Sequence, residues 1–303
     1  MFHVEHRPLH SDGRPTSACF TWNIDWASPG LVFDHFDAAR KDDEVTQRRL
    51  AVANQKGGVG KTTTTVNLGA ALADLGVRTL LVDLDPQANA TTGLGIDPRG
   101  LELSVYDVLI DEAQPATAVL PTQVPNLWLL PATLDLAGAE IELVSALSRE
   151  LKLRSALDQL DGEYDVVLID CPPSLGLLTV NALAAASEVI VPIQCEYYAL
   201  EGLGHLLQNV ERVRKAINPS LVVSAIVLVM YDARTRLAEE VAQEVRTHFP
   251  AQVCRTVIPR SVRLSEAPSF GVPINRFDPG SRGAIAYRLL AEEITNGSTI
   301  GTG

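Results

Sequence analysis

Gln55-Lys56-Gly57-Gly58-Val59-Gly60-Lys61-Thr62-Thr63 lies between a short apolar run, LAVAN (50–54), and TTTVNLGAALADLG (63–76), where Val66, Leu68, Ala70, Leu72 and Leu75 keep helix-like spacing up to Gly76. That order predicts a strand, a glycine loop and a helix. Gly60-Lys61-Thr62 is the GK[ST] end of a phosphate-binding loop. Its glycines let backbone N–H groups turn toward phosphate oxygens, Lys61 reaches the β/γ-phosphates, and the Thr62 hydroxyl can ligate Mg²⁺ at the helix N-terminus. Lys56, Gly57, Gly58, Val59, Gly60, Lys61, Thr62 and Thr63 are therefore the candidate nucleotide-binding set. The strict pattern places a glycine and then four residues before Gly60-Lys61. Here Gln55 takes that place, followed by a second lysine, Lys56.

Working outward, further short apolar runs follow at RTLLVD (78–83), NLWLLP (126–131), DVVLID (165–170), EVIVPI (188–193), LVVSAIVLV (221–229) and VCRTVI (253–258), most of them separated by helical stretches. Continuous rather than alternating apolar strands imply a sheet buried on both faces. The expected fold class is α/β: a single P-loop NTPase-type domain over 49–295, with a mostly parallel sheet flanked by helices on both faces. NGSTIGTG (296–303) reads as a frayed tail. The 303 residues carry 25 Lys+Arg against 37 Asp+Glu, a net charge of −12, and are 46% hydrophobic, which excludes wholesale disorder. No apolar run reaches the roughly 20 residues of a bilayer span, so no membrane partner is expected. The four cysteines (Cys19, Cys171, Cys195, Cys254) form no CxxC pair, which argues against a zinc site or disulfide framework and fits a reducing cytoplasm. Cys171 and Cys195 read as small buried hydrophobes, and Tyr197 and Tyr198 as packing residues of a core or a dimer face.

Two strand ends carry acids. LLVDLDPQ (80–87) places Asp83 and Asp85 just past the second strand, and DVVLIDCPPS (165–174) places Asp170 at the end of another. In α/β sheets ligands sit outside the carboxyl ends of strands, where an acid can hold Mg²⁺ through water or orient an attacking water. Taken singly, Asp83 or Asp85 could equally form the turn before Pro86, and Asp170 could cap a helix.

KGGVGKT resembles the deviant Walker A box of the ParA/MinD ATPases, VDLDPQ their Walker A′ motif, and LIDCPPS their Walker B and switch II. The resemblance covers 49–293 and narrows to the ParA/Soj chromosome-partitioning branch through QANATTGLG (87–95), LPATLDLAGAEIEL (130–143), QCEYYALEGL (194–203), MYDARTRL (230–237) and IPRSVRLSEAPSFG (258–271). It implies ATP and Mg²⁺ as cofactors, with Lys56 crossing a nucleotide-sandwich dimer to the partner's phosphates and Lys61 acting on its own. It also implies water positioning by Asp85 and Mg²⁺ held by Thr62 and, through water, by Asp170, leaving Asp83 unassigned. Pro259 takes the family's base-contacting position. The next contact is Ser261, where relatives usually carry Asn.

From 210 to 263 there are nine Lys+Arg and five acids, a local +4 inside the acidic chain. Such a run is either a solvated helix face or a phosphate-contacting one. The resemblance favours DNA, placing its contacts on Arg234 and Arg263. It implies an ATP-dependent homodimer, slow hydrolysis stimulated by a ParB-type centromere-binding protein, nonspecific binding to double-stranded DNA, and a cytoplasmic protein that is nucleoid-associated when ATP-bound. The alternatives are a MinD-like positioning ATPase, which needs a basic amphipathic C-terminal helix that AEEITNGSTIGTG does not offer, and a non-catalytic regulator liganded by ATP.

Residues 1–48 show no core-forming pattern and read as a disordered extension or a mis-annotated start. MFHVEH (1–6) can be encoded by ATGTTCCACGTGGAACAC, which contains the perfect inverted repeat TGTTCCACGTGGAACA. CFTWNI (19–24) can be encoded by TGTTTCACGTGGAACATC, which holds nearly the same repeat in another frame. Both resemble the centromere-like site that ParB binds. The segment is therefore expected to be upstream DNA read as coding, with the true start at a non-ATG codon such as that of Val45. The competing reading is a real arm that contacts a partner, and the intact mass of the native protein decides between them.

Overall fold

The computed structural model describes residues 47–196 and 199–296. The N-terminal readings up to residue 46, Tyr197, Tyr198 and most of the C-terminal tail lie outside the described residues. The strands are β1 (Arg48–Val52), β2 (Thr79–Asp83), β3 (Leu120–Pro121), β4 (Leu127–Leu130), β5 (Val166–Asp170), β6 (Glu188–Gln194) and β7 (Val222–Val229), forming one sheet in the order β3-β4-β2-β5-β1-β6-β7. All neighbours run parallel except β3 and β4. The helices are α1 (Lys61–Asp74), α2 (Asn89–Gly93), α3 (Val105–Leu109), α4 (Pro115–Ala118), α5 (Leu136–Glu142), α6 (Lys152–Leu157), α7 (Leu177–Ala185), α8 (Ala199–Ala216), α9 (Arg236–His248), α10 (Val262–Glu266), α11 (Ile274–Phe277) and α12 (Arg282–Thr295).

Every residue of β2 and β5 is buried, as expected of a sheet covered on both faces. On one face, Leu68 and Leu72 of α1 and Tyr287, Leu290 and Ala291 of α12 share a core with Leu50, Val52, Leu168, Ile190 and Val227 of the strands. On α1 the Thr64 hydroxyl lies 3.3 Å from the Tyr287 hydroxyl, so the helix that begins at the glycine loop is tied to α12 by a polar contact as well as by packing. α7 packs beside β1 and α8 beside β6. No helix among the described residues is long and apolar enough to cross a membrane.

Two expectations need correction. VCRTVI (253–258) is not a strand. It runs along the outer edge of β7, with Cys254 N–H donating to Ile226 (2.9 Å) and Ile258 N–H to Leu228 (2.8 Å). Between them, the N–H groups of Arg255 and Thr256 leave the ladder and donate to the Glu293 carboxylate of α12, at 2.7 and 3.0 Å. The run is apolar enough for a strand, but a carboxylate from the helix layer outcompetes the sheet for its middle donors. The first helix begins at Lys61 rather than 63, because Gly60, at φ 82°, is the left-handed residue from which it starts.

Candidate nucleotide site

The glycine loop lies at the carboxyl end of β1, as the sequence order requires. Gly58 (φ 72°) and Gly60 (φ 82°) take the left-handed backbone that lets successive N–H groups turn inward. Asn54 braces the loop from below: its side-chain amide donates to the Pro192 carbonyl (2.7 Å), and its oxygen accepts from Lys56 N–H (3.0 Å). Val59 is buried, Gly57 and Gly58 are exposed, and Met230 at the end of β7 reaches Gly60. Lys61 is buried, and its ammonium donates to the Lys56 carbonyl at 3.3 Å across the loop mouth. Desolvation holds its pKa below the ordinary lysine value, opposed by the charge of Asp170. A polyanion in the loop would relieve that desolvation.

Asp170 closes the site. β5 ends there, fully buried, with one carboxylate oxygen accepting from the Thr62 hydroxyl (2.7 Å) and the other from the Thr65 hydroxyl (2.9 Å). Thr62 and Thr65 are three residues apart and share a face of α1. Thr65 was not among the sequence candidates, although that spacing within the Thr62–Thr65 run could have revealed it. Burial, reinforced by the charge of Asp83, pushes the Asp170 carboxyl well above the usual carboxylate range. A buried carboxylate held by two hydroxyls beside a phosphate loop, with the Lys61 charge nearby, is a donor set that fits a hard divalent cation reached through water. Thr62 would be the direct ligand.

Asp83 is the last residue of β2 rather than just past it, and Asp85 follows the strand; the two acids divide their tasks. Asp83 turns away from the loop and accepts from Thr91 N–H and the Thr91 hydroxyl, both at 2.8 Å, and from Asp85 N–H at 3.1 Å, fixing the path into α2. Asp85 accepts from Gln87 N–H (3.0 Å) and lies close enough for its charge to act on Lys61 and Asp170. The structure thus brings Lys61, Thr62, Asp85 and Asp170 to one place. The Thr63 side chain is half-buried on α1.

Lys56 is held within its own chain, 2.9 Å from the carboxylate of Glu196 just beyond β6. Reaching a second protomer would require release from this exposed ion pair, a small cost of at most about 1 kcal/mol. Pro259 and Ser261 line a groove of about 1100 Å³, together with Arg234, Arg255, Arg260 and Arg282. Arg263 is not among its lining residues. Arg234 is bidentate to Asp232 (2.7 and 2.8 Å), while Arg263 pairs with Glu266 (3.1 Å) and Asp278 (3.4 Å) and lies over the Phe277 ring. Both arginines are exposed.

The sheet order, the left-handed glycines and the Thr62–Asp170 pair define a P-loop nucleoside triphosphatase. A family pattern described as an AAA domain matches residues 47–223. The chain is 56% identical over 245 residues to the sporulation initiation inhibitor protein Soj of Bacillus subtilis, covering 81% of this chain and 97% of Soj. It is 53% identical over 249 residues to the chromosome partitioning protein ParA of Caulobacter vibrioides, covering 82% and 93%. The chain belongs to the ParA/Soj family of chromosome-partitioning ATPases. Among solved structures, the MinD cell division ATPase of Pyrococcus furiosus superposes with a TM-score of 0.68 at 31% identity, covering 82% of this chain and 98% of that one. A Mycobacterium smegmatis protein described as cobyrinic acid a,c-diamide synthase, with bound ADP and magnesium, superposes with a TM-score of 0.74 at 43% identity, covering 85% and 99%.

Proposed function

We propose that the chain is an Mg-ATP-dependent ATPase that dimerises on ATP, binds double-stranded DNA without sequence preference, and is released when a ParB-type partner stimulates its slow hydrolysis. The observation that carries this reading is the loop with two lysines in different states: Lys61 buried inside the site, and Lys56 at its rim on an exposed ion pair. Lys61 neutralises charge on its own nucleotide, and Lys56 is free to exchange Glu196 for a phosphate of a second protomer. Asp85 orients the attacking water, and Pro259 and Ser261 flank the base. Mg²⁺, when bound by Thr62 with Asp170 behind its water shell, would supply further neutralisation of phosphate charge. Arg234 and Arg263 exchange their carboxylate partners for DNA phosphates, a competition that salt weakens.

The synthase description of the mycobacterial structure offers a second reading. An amide synthase that takes ammonia from glutamine by thiol attack needs an accessible, activated cysteine. The cysteines among the described residues, Cys171, Cys195 and Cys254, are all buried, and burial pushes each thiol up, Cys195 to about 11 and Cys254 to about 12. The higher identity to the partitioning proteins points the same way. DNA co-sedimentation with ATP, with ADP and without nucleotide tests the proposal. Binding that appears only with ATP supports it, and binding indifferent to nucleotide refutes it.

A further inference from the structure

Met230 departs from the backbone that its residue type prefers. It follows β7 directly at φ 51°, in the left-handed region that glycine enters freely and a long side chain only with steric strain. Such a residue persists where its surroundings fix it, and here they do so on both sides. Val229 before it closes the β6–β7 ladder, in register with Gln194. Tyr231 after it pairs in parallel with Pro259, its N–H donating to the Ile258 carbonyl (3.0 Å) and its own carbonyl accepting from Arg260 N–H (3.1 Å).

The strained turn faces two ways. Through its half-buried side chain it meets the phosphate loop: Met230 Cε lies 3.6 Å from the point where a Cβ on Gly60 would stand, and with Val229 Cγ2, at 4.0 Å, it bounds the space beside that glycine. Gly60 is the left-handed residue from which α1 starts, next to Lys61. Through its backbone Met230 leads into Tyr231-Asp232-Ala233-Arg234. That path is tied as well, since Arg234 N–H donates to the Asp232 carboxylate (3.1 Å) and Thr235 N–H to the Asp232 carbonyl (3.1 Å). One residue therefore touches the nucleotide loop with its side chain and sets the course of the chain toward Arg234 with its main chain.

We propose that Met230 is a positioning residue that couples the two sites: its thioether bears on the occupied phosphate loop, and its left-handed backbone holds Arg234 where a DNA phosphate is within reach. The assignment rests on the function proposed above and names the residue through which nucleotide state is read at Arg234. Its test measures the DNA affinity of the full chain at saturating Mg-ATP, where weaker nucleotide binding is made up by concentration, with the dimer mass recorded alongside. Met230→Ala keeps the strained backbone and deletes the strut, so it should lower that affinity about tenfold, within the range of coupling between sites. Met230→Leu, similar in volume, should restore most of it. Met230→Ala should have no further effect in an Arg234→Ala background and its full effect in an Arg263→Ala background, a pattern that general loosening of the fold would not produce. Met1 and Met230 are the chain's only methionines, so peroxide treatment of the nucleotide-free protein repeats the test on folded material if the alanine variant folds poorly. Transfer of one oxygen from hydrogen peroxide to the thioether gives the sulfoxide and water, and sets a polar group against Gly60. DNA affinity should then fall as sulfoxide accumulates at Met230, followed by peptide mass, while the treated Met230→Leu protein keeps its affinity. Undiminished affinity of Met230→Ala overturns the proposal, as do equal losses in the two arginine backgrounds or a peroxide loss shared by Met230→Leu. Loss of the ATP dimer also overturns it, by assigning Met230 to the contact between copies. A wild-type protein whose DNA binding ignores nucleotide refutes the proposed function itself, a result distinct from any variant outcome.

Discussion

Thr65→Val removes one hydroxyl from a fully buried position and leaves a side chain of nearly the same shape. The lost group donates at 2.9 Å to Asp170 and lies 3.0 Å from the Lys61 carbonyl. The helical bond of that carbonyl survives, so the cost falls on Asp170, whose Oδ1 loses its hydroxyl donor inside the protein. Above about pH 8, where the raised Asp170 carboxyl is ionised and the measurement is to be made, a hydrogen bond to this charged group contributes about 1.5 to 3 kcal/mol, and leaving its buried acceptor unpaired costs a similar amount. The carboxyl can partly escape by taking up a proton, which places the expected loss near 2 kcal/mol. For a folded unit of roughly 250 residues each kcal/mol moves the melting temperature by about 2 to 4 °C, so a drop of about 4 to 8 °C is expected. Calorimetry of the nucleotide-free protein measures it, with Thr63→Val, on the same helix but half-buried, as the control that should barely move. A Thr65→Val protein that melts with the wild type would refute the reasoning, because Asp170 would then not depend on α1 for its partners.

The remaining predictions concern function. Lys61→Ala should weaken Mg-ATP binding by about a hundredfold or more, because a buried phosphate charge loses its partner; isothermal titration that finds wild-type affinity would contradict the loop assignment. Asp85→Ala should keep ATP binding and the dimer while phosphate release falls by about a hundredfold, with DNA held longer; normal turnover would remove Asp85 from the mechanism. Arg234→Ala and Arg263→Ala should each weaken binding to all DNA sequences alike and reduce the salt slope by about one; equal affinity at low salt would show a face that is only solvated. Apparent Mg-ATP affinity should fall as pH drops below about 8, since the raised Asp170 carboxyl then takes up a proton where the cation needs a carboxylate, and a flat profile across that range would oppose the role given to Asp170.

The elements that the sequence displayed most openly are those whose partners lie close along the chain. The strand, loop and helix around Lys61 are specified by glycines and helical spacing, and the buried strands by continuous apolar runs. Asp170 was visible because a strand end is a fixed address for a carboxylate. What the sequence did not display depends on distant groups. The Arg255 and Thr256 donors are claimed by Glu293, 38 and 37 residues away, which turned an expected strand into a broken one. Glu196 lies 140 residues from the Lys56 that it holds. Asp83 and Asp85 look alike in sequence, and only the position of Thr91 separates a structural carboxylate from one beside the nucleotide. The short β3 was missed because two residues carry no period.

That broken run has a consequence for how molecules behave when packed side by side. An open sheet invites a neighbouring chain to continue its ladder, and the invitation is strongest where an edge is long, flat and regular. Here the β7 edge is screened by a segment whose middle donors are spent on Glu293, and the opposite edge ends in the two-residue, antiparallel β3, closed by Pro121, which has no N–H to offer. Crowded copies can touch without knitting their sheets together. Glu293→Ala would free the N–H groups of Arg255 and Thr256 at this edge, so the variant should precipitate at concentrations where the native chain stays dispersed.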